Sequence, residues 1–353
     1  MHLSPLHAAG AALSHIGRPL VRRPLPVLLL AFAALRLAAQ QTESYAPQFG
    51  GTLRAKYEYQ PEMGAGRFEV RNARINARGQ VHRSLSYKAE IDLSDEGQIK
   101  MLDAYVALHL DSLSQFTIGQ MRVPFTIDAH RSPHQQYFAN RSFIAKQVGN
   151  VRDVGATLSY RFGGRLPLTL AGGVFNGSGL TNQKDYWTRS INYSAKAEWQ
   201  LPAHFALTLS TQKARPEVVD IYMYDVGLYW HACGWHVEAE YLRKHYKHDA
   251  FKPVNAFDGF VAYDLPLRKV FSKMTFLGRF DYMSDHSDGK GADGRLSLTD
   301  AARKRLTGGI TLSLAKAFVA DIRLNYEKYF YDKGAPIKIS EHDKIVVELM
   351  AHF

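Results

Sequence analysis

The 353-residue chain holds a single cysteine, Cys233. That excludes an internal disulfide and any site built on a cysteine cluster. Such scarcity also suits an exported protein, in which stray thiol oxidation is avoided. No stretch approaches the roughly 18 consecutive apolar residues of a membrane helix; the longest apolar run, residues 25–35, is too short to span. Blocks of Lys and Arg are missing as well, although the formal net charge is +11. The basic residues alternate with apolar ones, so the expected partners are lipid and an anionic or small polar solute, with no nucleic acid. Neither a Gly-x-Ser-x-Gly elbow nor a His-Glu-x-x-His zinc motif occurs, so no catalytic residue, metal or cofactor is expected. The pairs His245/His248 and Asp285/His286 read as solvated loop residues. His231, Cys233 and His236 suggest a metal cluster on paper, but simple alternation sends His236 the other way from the first two. Residues 287–295 lack the acidic spacing of a calcium loop and read as a flexible outer loop.

What the chain has is aromatic residues, 12% of the total with 19 Tyr and 19 Phe, and a persistent period of two. Leu53, Ala55, Tyr57 and Tyr59 alternate with Arg54, Lys56, Glu58 and Gln60. Leu85, Tyr87, Ala89, Ile91 and Leu93 alternate with Ser84, Ser86, Lys88, Glu90 and Asp92. Residues 72–78, 102–110, 191–199, 235–241, 276–282 and 320–327 repeat the pattern, as does the final stretch from Lys344 to Phe353. Period two means extended strands with one apolar and one polar face. Turn-rich joints fall at 94–98, 163–167, 177–185, 213–216, 247–253 and 284–295. About sixteen strands fit between them, an even number as bacterial single-chain barrels require.

Alternation alone does not separate a soluble sandwich from a membrane barrel. The N-terminus helps. Arg18, Arg22 and Arg23 precede the apolar run, and small residues follow it near Ala39 and Gln40, the layout of an export signal. Tyr57, Tyr59, Trp199, Trp235 and Tyr326 stand near strand ends, where a ring can sit with one wet edge at a lipid interface. A last strand ending in Phe353 suits a sheet that must close on its first strand. The expected fold is therefore all-β, a transmembrane antiparallel barrel over residues 41–353, behind a signal peptide with its upstream extension over 1–40. Phe353 is the expected handle for the barrel-assembly machinery.

Residues 125–152 break the rhythm. They are long for a loop and carry His130, Arg131, His134, Arg141, Lys146 and Arg152 against one acid, Asp128. The expectation is a loop folded into the barrel that narrows it with positive charge. On the lumen wall the candidates are Arg54, Arg74, Arg78, Lys88, Glu90, Asp103, Lys196, Arg279 and Arg323. Arg122 falls on the lipid side by parity, which predicts a bulge nearby.

Four short motifs in order carry a family resemblance: Gly119-Gln120-Met121-Arg122-Val123-Pro124-Phe125, Arg141-Ser142, Arg152-Asp153-Val154-Gly155 and Val174-Phe175-Asn176-Gly177. They resemble the phosphate-selective porin O and P family, in which the first ends a strand before the constriction loop and the third opens the next strand. The resemblance implies a sixteen-stranded outer-membrane porin, often trimeric, admitting anionic or small polar solutes. Phosphate selectivity is not carried over, because the expected lumen faces also hold acids: Glu90, Asp92, Asp103, Glu198, Glu238, Glu240, Asp281 and Glu327. The expected function is passive diffusion of small hydrophilic solutes with a modest anion preference. The alternatives are a plugged barrel used for binding or adhesion, and a barrel hydrolase.

Overall fold

A strand whose outward side chains are apolar and whose inward ones are charged is stable only where the outside is oily. In the computed structural model that arrangement runs around the whole molecule. Residues 45–353 are described, apart from 96–97, 149–151, 181–182, 184, 316–318 and 336; the expected export signal lies outside the described residues.

In chain order the strands are β1 (Gln48–Gln60), β2 (Ala65–His82), β3 (Leu85–Asp95), β4 (Gln98–His109), β5 (Ser114–Arg122), β6 (Arg152–Phe162), β7 (Leu168–Phe175), β8 (Asn192–Gln200) and β9 (Phe205–Ala214). Then come β10 (Ile221–Ala232), β11 (Trp235–Tyr246), β12 (Val254–Pro266), β13 (Lys273–Met283), β14 (His286–Lys290), β15 (Leu296–Asp300), β16 (Arg303–Ala315), β17 (Val319–Tyr331) and β18 (Lys344–His352). Sixteen of them close into one antiparallel barrel, each beside its sequence neighbour, except that β13 pairs with β16. The two strands left over, β14 and β15, form a separate hairpin between them. Residues 287–295, expected as a flexible loop, thus contain ordered pairing in part.

Closure joins β1 to β18, with Thr52 opposite His352 and Tyr59 opposite Ile345. Phe353 extends the seam: the Gly51 amide donates to its carbonyl at 2.9 Å, and its own amide donates to Gly51 O at 3.2 Å. Among the described residues the barrel itself leaves no strand edge to pair with another chain. The connections at the end holding Phe353 are short, such as 83–84 and 233–234, and the longest ones lie at the other end. Short turns mark the periplasmic side of such barrels and long loops the outer side.

The two faces separate as the alternation requires. Leu53, Ile322, Leu324, Val347 and Leu349 point outward and are exposed, whereas Arg54, Arg323, Asn325, Glu327 and Glu348 point inward and are buried. Aromatic pairs ring the outer wall, as in Trp235 with Tyr263 at 4.7 Å and Phe205 with Trp230 at 6.3 Å between centroids. Leu102 departs from the expected lipid stripe. The β3–β4 register shifts at Glu90/Ile91, which leaves Leu102 as an extra residue, buried rather than exposed.

Candidate functional site

The charged faces of the strands meet a loop that enters the barrel between β5 and β6. Its route starts at Gly119, whose φ of 129° admits no ordinary side chain. A Cβ there would also lie 2.3 Å from Ala104 O. Arg122 then ends β5. Its guanidinium reaches inward and donates to the carbonyls of His130 at 2.7 Å, Arg131 at 3.0 Å and Ala129 at 3.3 Å. The expected bulge is not what turns it: β5 pairs with β4 and β6 without a register shift, and Arg122 reaches the lumen because the chain leaves the wall there.

The loop lies against one half of the wall and is fastened by its backbone. The Ile127 amide donates to Glu240, and the Asp128 amide donates to the same carboxylate at 3.2 Å. The Ala139 amide donates to Asn325 Oδ1 at 2.8 Å and the Phe143 amide to Asp281 Oδ1 at 3.2 Å. From the wall, Arg54 donates to Gln136 Oε1 at 2.6 Å and to Ala139 O at 2.7 Å, and Arg305 donates to Arg141 O at 2.8 Å. Within the loop, the Ser142 amide and hydroxyl both donate to Asp128 Oδ2. Burial alone raises the Asp128 carboxyl, but Arg131, Arg141 and the Ser142 hydroxyl outweigh it and hold it below the usual carboxylate range.

Behind the loop the wall is a dry lattice of ion pairs. Arg54 and Arg323 share Glu348 at 2.6 and 2.7 Å. Arg305 bridges Asp281 at 2.9 Å and Glu327 at 3.4 Å, and Arg279 meets Asp281 at 2.9 Å. Arg305 and Arg323 are each 1% exposed. Along β1 and β16–β18 cations and carboxylates match, so that stretch carries little free charge.

The other half stays partly open. The side chains of Lys88 and Arg74 remain 23% and 11% exposed, and Arg71, Tyr105, Arg122, Lys196 and Glu198 are likewise half-buried. Besides Glu198, three acids stand on this wall and pair with its basic residues. Asp103 holds Lys88 at 2.6 Å and Arg152 at 2.7 Å, Asp92 holds Arg74 at 2.9 Å, and Glu90 holds Lys88 at 2.7 Å. Arg71, Arg122 and Arg141 have no carboxylate within ion-pair reach among the described residues. Arg141 spends its guanidinium on the carbonyls of Asp128, Ala129 and Arg131. The guanidiniums are neighbours: Arg152, Arg141 and Arg74 surround Arg122, and Arg71 lies near Arg141. Cations therefore outnumber acids beside the opening.

The structure brings together Arg74, Lys88, Glu90, Asp103, Lys196, Arg141 and Arg152 as one charged surface. Arg152 belongs to wall strand β6 rather than to the loop. Arg54, Arg279 and Arg323 sit in the packed lattice. Arg78 is exposed at the periplasmic end of β2, and Lys146 meets Glu341 of the β17–β18 connection at 3.7 Å. Arg131 is tied to Glu238. His130 is held neutral, its pKa pushed down to about 3 by burial and then by Lys196 and Arg122. His134 stacks on His352 at 3.8 Å. Sequence reasoning missed Arg71, Arg303 and Arg305. The last two were within reach, since both share the inward parity of Thr307 on β16. The parity argument about His231 and His236 fails across the hairpin: they are register partners, share a face and lie 5.7 Å apart, while Cys233 occupies the exposed turn.

A closed sixteen-stranded barrel, apolar outside, charged inside and narrowed by an inward loop, is a porin of the bacterial outer membrane. Residues 48–222 match the sequence profile of the family described as phosphate-selective porin O and P, consistent with the resemblance the four motifs carry. Among solved structures, the fold is shared with OmpF of Salmonella typhi in complex with daunomycin, at 12% identity and a TM-score of 0.60, covering 87% of this chain and 97% of that one. It is shared with the outer-membrane channel DcaP of Acinetobacter baumannii, at 12% identity and 0.59, covering 90% and 99%. The anion-selective porin from Comamonas acidovorans aligns at 13% identity and 0.54, covering 87% and 98%. No curated protein sequence matches the chain.

Proposed function

We propose that the barrel conducts small hydrophilic solutes by passive diffusion and prefers anions. The path is eccentric, between the docked loop and the wall of β2–β8. The observation that carries this reading is the charge imbalance there: among the described residues Arg71, Arg122 and Arg141 have no carboxylate within ion-pair reach, while Arg74, Lys88 and Arg152 share three acids. Selectivity in such a passage follows from its radius and its lining charge. The acids leave the preference modest rather than absolute. No catalytic step and no cofactor enter the proposal. Lipid surrounds the barrel, two further copies complete a homotrimer, and Phe353 is the handle for assembly.

Planar-bilayer recording tests it. Stepwise open-channel currents are expected, with a reversal potential of anion-preferring sign under a potassium chloride gradient. A cation-preferring sign would sink the preference. A folded but silent barrel would support the second reading, a lumen shut by its loop and used for binding, which the tight packing over the other half of the wall favours. Light scattering of the detergent complex tests the trimer.

A further inference from the structure

The packed wall carries a row of acids for which conduction has no use. Glu240 on β11 stands directly across the ladder from Asp258 on β12, and Asp258 stands across from Asp281 on β13. Glu238 lies two residues before Glu240 and so shares the inward face. Carboxylate oxygens of Glu238, Glu240 and Asp258 lie within 4.8 Å of one another, and these residues are 2%, 1% and 1% exposed. Like charges directly opposite destabilise a ladder, and a buried carboxylate needs a partner.

The nearby cations do not use up this charge. One oxygen of Glu238 serves Arg131 and also lies 3.1 Å from His236 Nε2. Glu240 accepts the Ile127 and Asp128 amides. Asp281 is held by Arg279 and Arg305. Glu238 Oε1 and Asp258 Oδ1 remain, both buried and without a hydrogen-bond partner. The Arg279 Nε stands 3.8 Å from Asp258 Oδ1, within ion-pair reach but too far for a hydrogen bond, and it also serves Asp281 at 2.9 Å. Beside them on β10, Asp225 Oδ2 is also buried and unbonded. Asp128 and Arg141 on the loop and Lys196 on β8 are further charged neighbours.

We infer that Glu238, Glu240 and Asp258 form a binding site for a hard divalent cation of the calcium type, set in the wall beneath the constriction loop. The donors are all oxygen, which suits calcium or magnesium and not a softer metal. Magnesium keeps several waters in a strict octahedron, whereas calcium accepts irregular carboxylate sets; carboxylates buried to 2% exposure or less leave little access to water, which favours calcium. The ion neutralises the row. It also fastens the loop, because Glu240 holds the amides of Ile127 and Asp128 and Glu238 holds Arg131.

The test uses the folded full barrel in detergent, stripped with a chelator and titrated with calcium chloride alone by calorimetry. One saturable site per chain is expected, with calcium raising the temperature at which the barrel loses its folded-state gel mobility. Asp258→Asn together with Glu238→Gln should weaken binding at least tenfold and abolish that shift. These isosteric changes remove like-charge repulsion, although Glu238→Gln also weakens the tie to Arg131, and retained gel mobility checks that the barrel folds. Should the double variant fail to fold, Asp258→Asn alone and the wild-type stoichiometry still decide. No saturable binding to the wild type, or undiminished binding to the variants, overturns the site. A barrel that calcium leaves unchanged but Asp258→Asn stabilises would mean that a proton, not a metal, satisfies the row, and would equally overturn it.

Discussion

Arg71 and Arg323 are the same residue type on the same inner wall, and the structure gives them different work. Arg323 is 1% exposed and bonded to Asp321 and Glu348, both at 2.7 Å. Replacing it with Met leaves buried Asp321 without a cation and Glu348 with Arg54 alone, a broken buried pair that costs about 3–5 kcal/mol. Urea unfolding of Arg323→Met in detergent should register that loss, while the reversal potential stays where it was. Arg71 has no carboxylate partner among the described residues and borders the opening. Arg71→Glu should therefore leave unfolding nearly unchanged and lower the anion-to-cation permeability ratio severalfold. If both variants changed selectivity alike, the division of the lumen into a packed and an open half would be wrong. Which arginine does which was not legible in the sequence. Parity put Arg54, Arg74, Arg279 and Arg323 on one face, but pairing depends on carboxylates up to 294 residues away, as in Arg54 with Glu348.

At the level of elements, the strands were the legible part and the loop was half legible. Alternation along β1, β3, β11 and β17 marked both faces because the lipid side excludes charge and the inner side gathers it, with a few buried apolar residues such as Leu242 among it. It failed where one residue was added, at Leu102, and where a hairpin reversed the chain, between His231 and His236. The loop's length and basic residues announced an inward fold. Its attachments were hidden, because most are backbone amides donating to distant acids. Two of its imidazoles make the docking pH-dependent. Burial holds His130 down at about 3, and burial with the stacked His352 holds His134 at about 4, both from an ordinary 6.5. A basic group depressed on docking binds fewer protons docked than free. Its contribution is complete above about pH 6.5 and is lost as pH falls through about 4. Asp128, held below the usual carboxylate range, loses its contribution in the same direction. Protease cleavage within residues 125–148 should be slow and flat from neutral pH down to about 6, then accelerate towards pH 4. His134→Phe should reduce that acceleration, and an equally steep profile in the variant would assign the effect elsewhere.

For the whole molecule, what decides between a membrane channel and a soluble sheet is which face of the alternation is dry. The buried set here is polar, including Arg303, Arg305, Glu327 and Glu348, and the exposed set is apolar, including Leu324 at 49%. That inversion is stable only in a bilayer. Leu324 sits near the middle of β17, between inward Arg323 and Asn325, so it stands close to the bilayer midplane. Leu324→Arg should cost about 2–4 kcal/mol, as a cation on the lipid face at that depth does. The measurement is equilibrium folding into phospholipid vesicles against urea. In detergent, where a micelle deforms around a charge more easily, the cost should shrink. On a sheet whose outer face met water, the same change would be nearly neutral in both media. A Leu324→Arg barrel as stable in vesicles as the wild type would therefore contradict the inside-out arrangement itself, and with it the lipid-embedded channel.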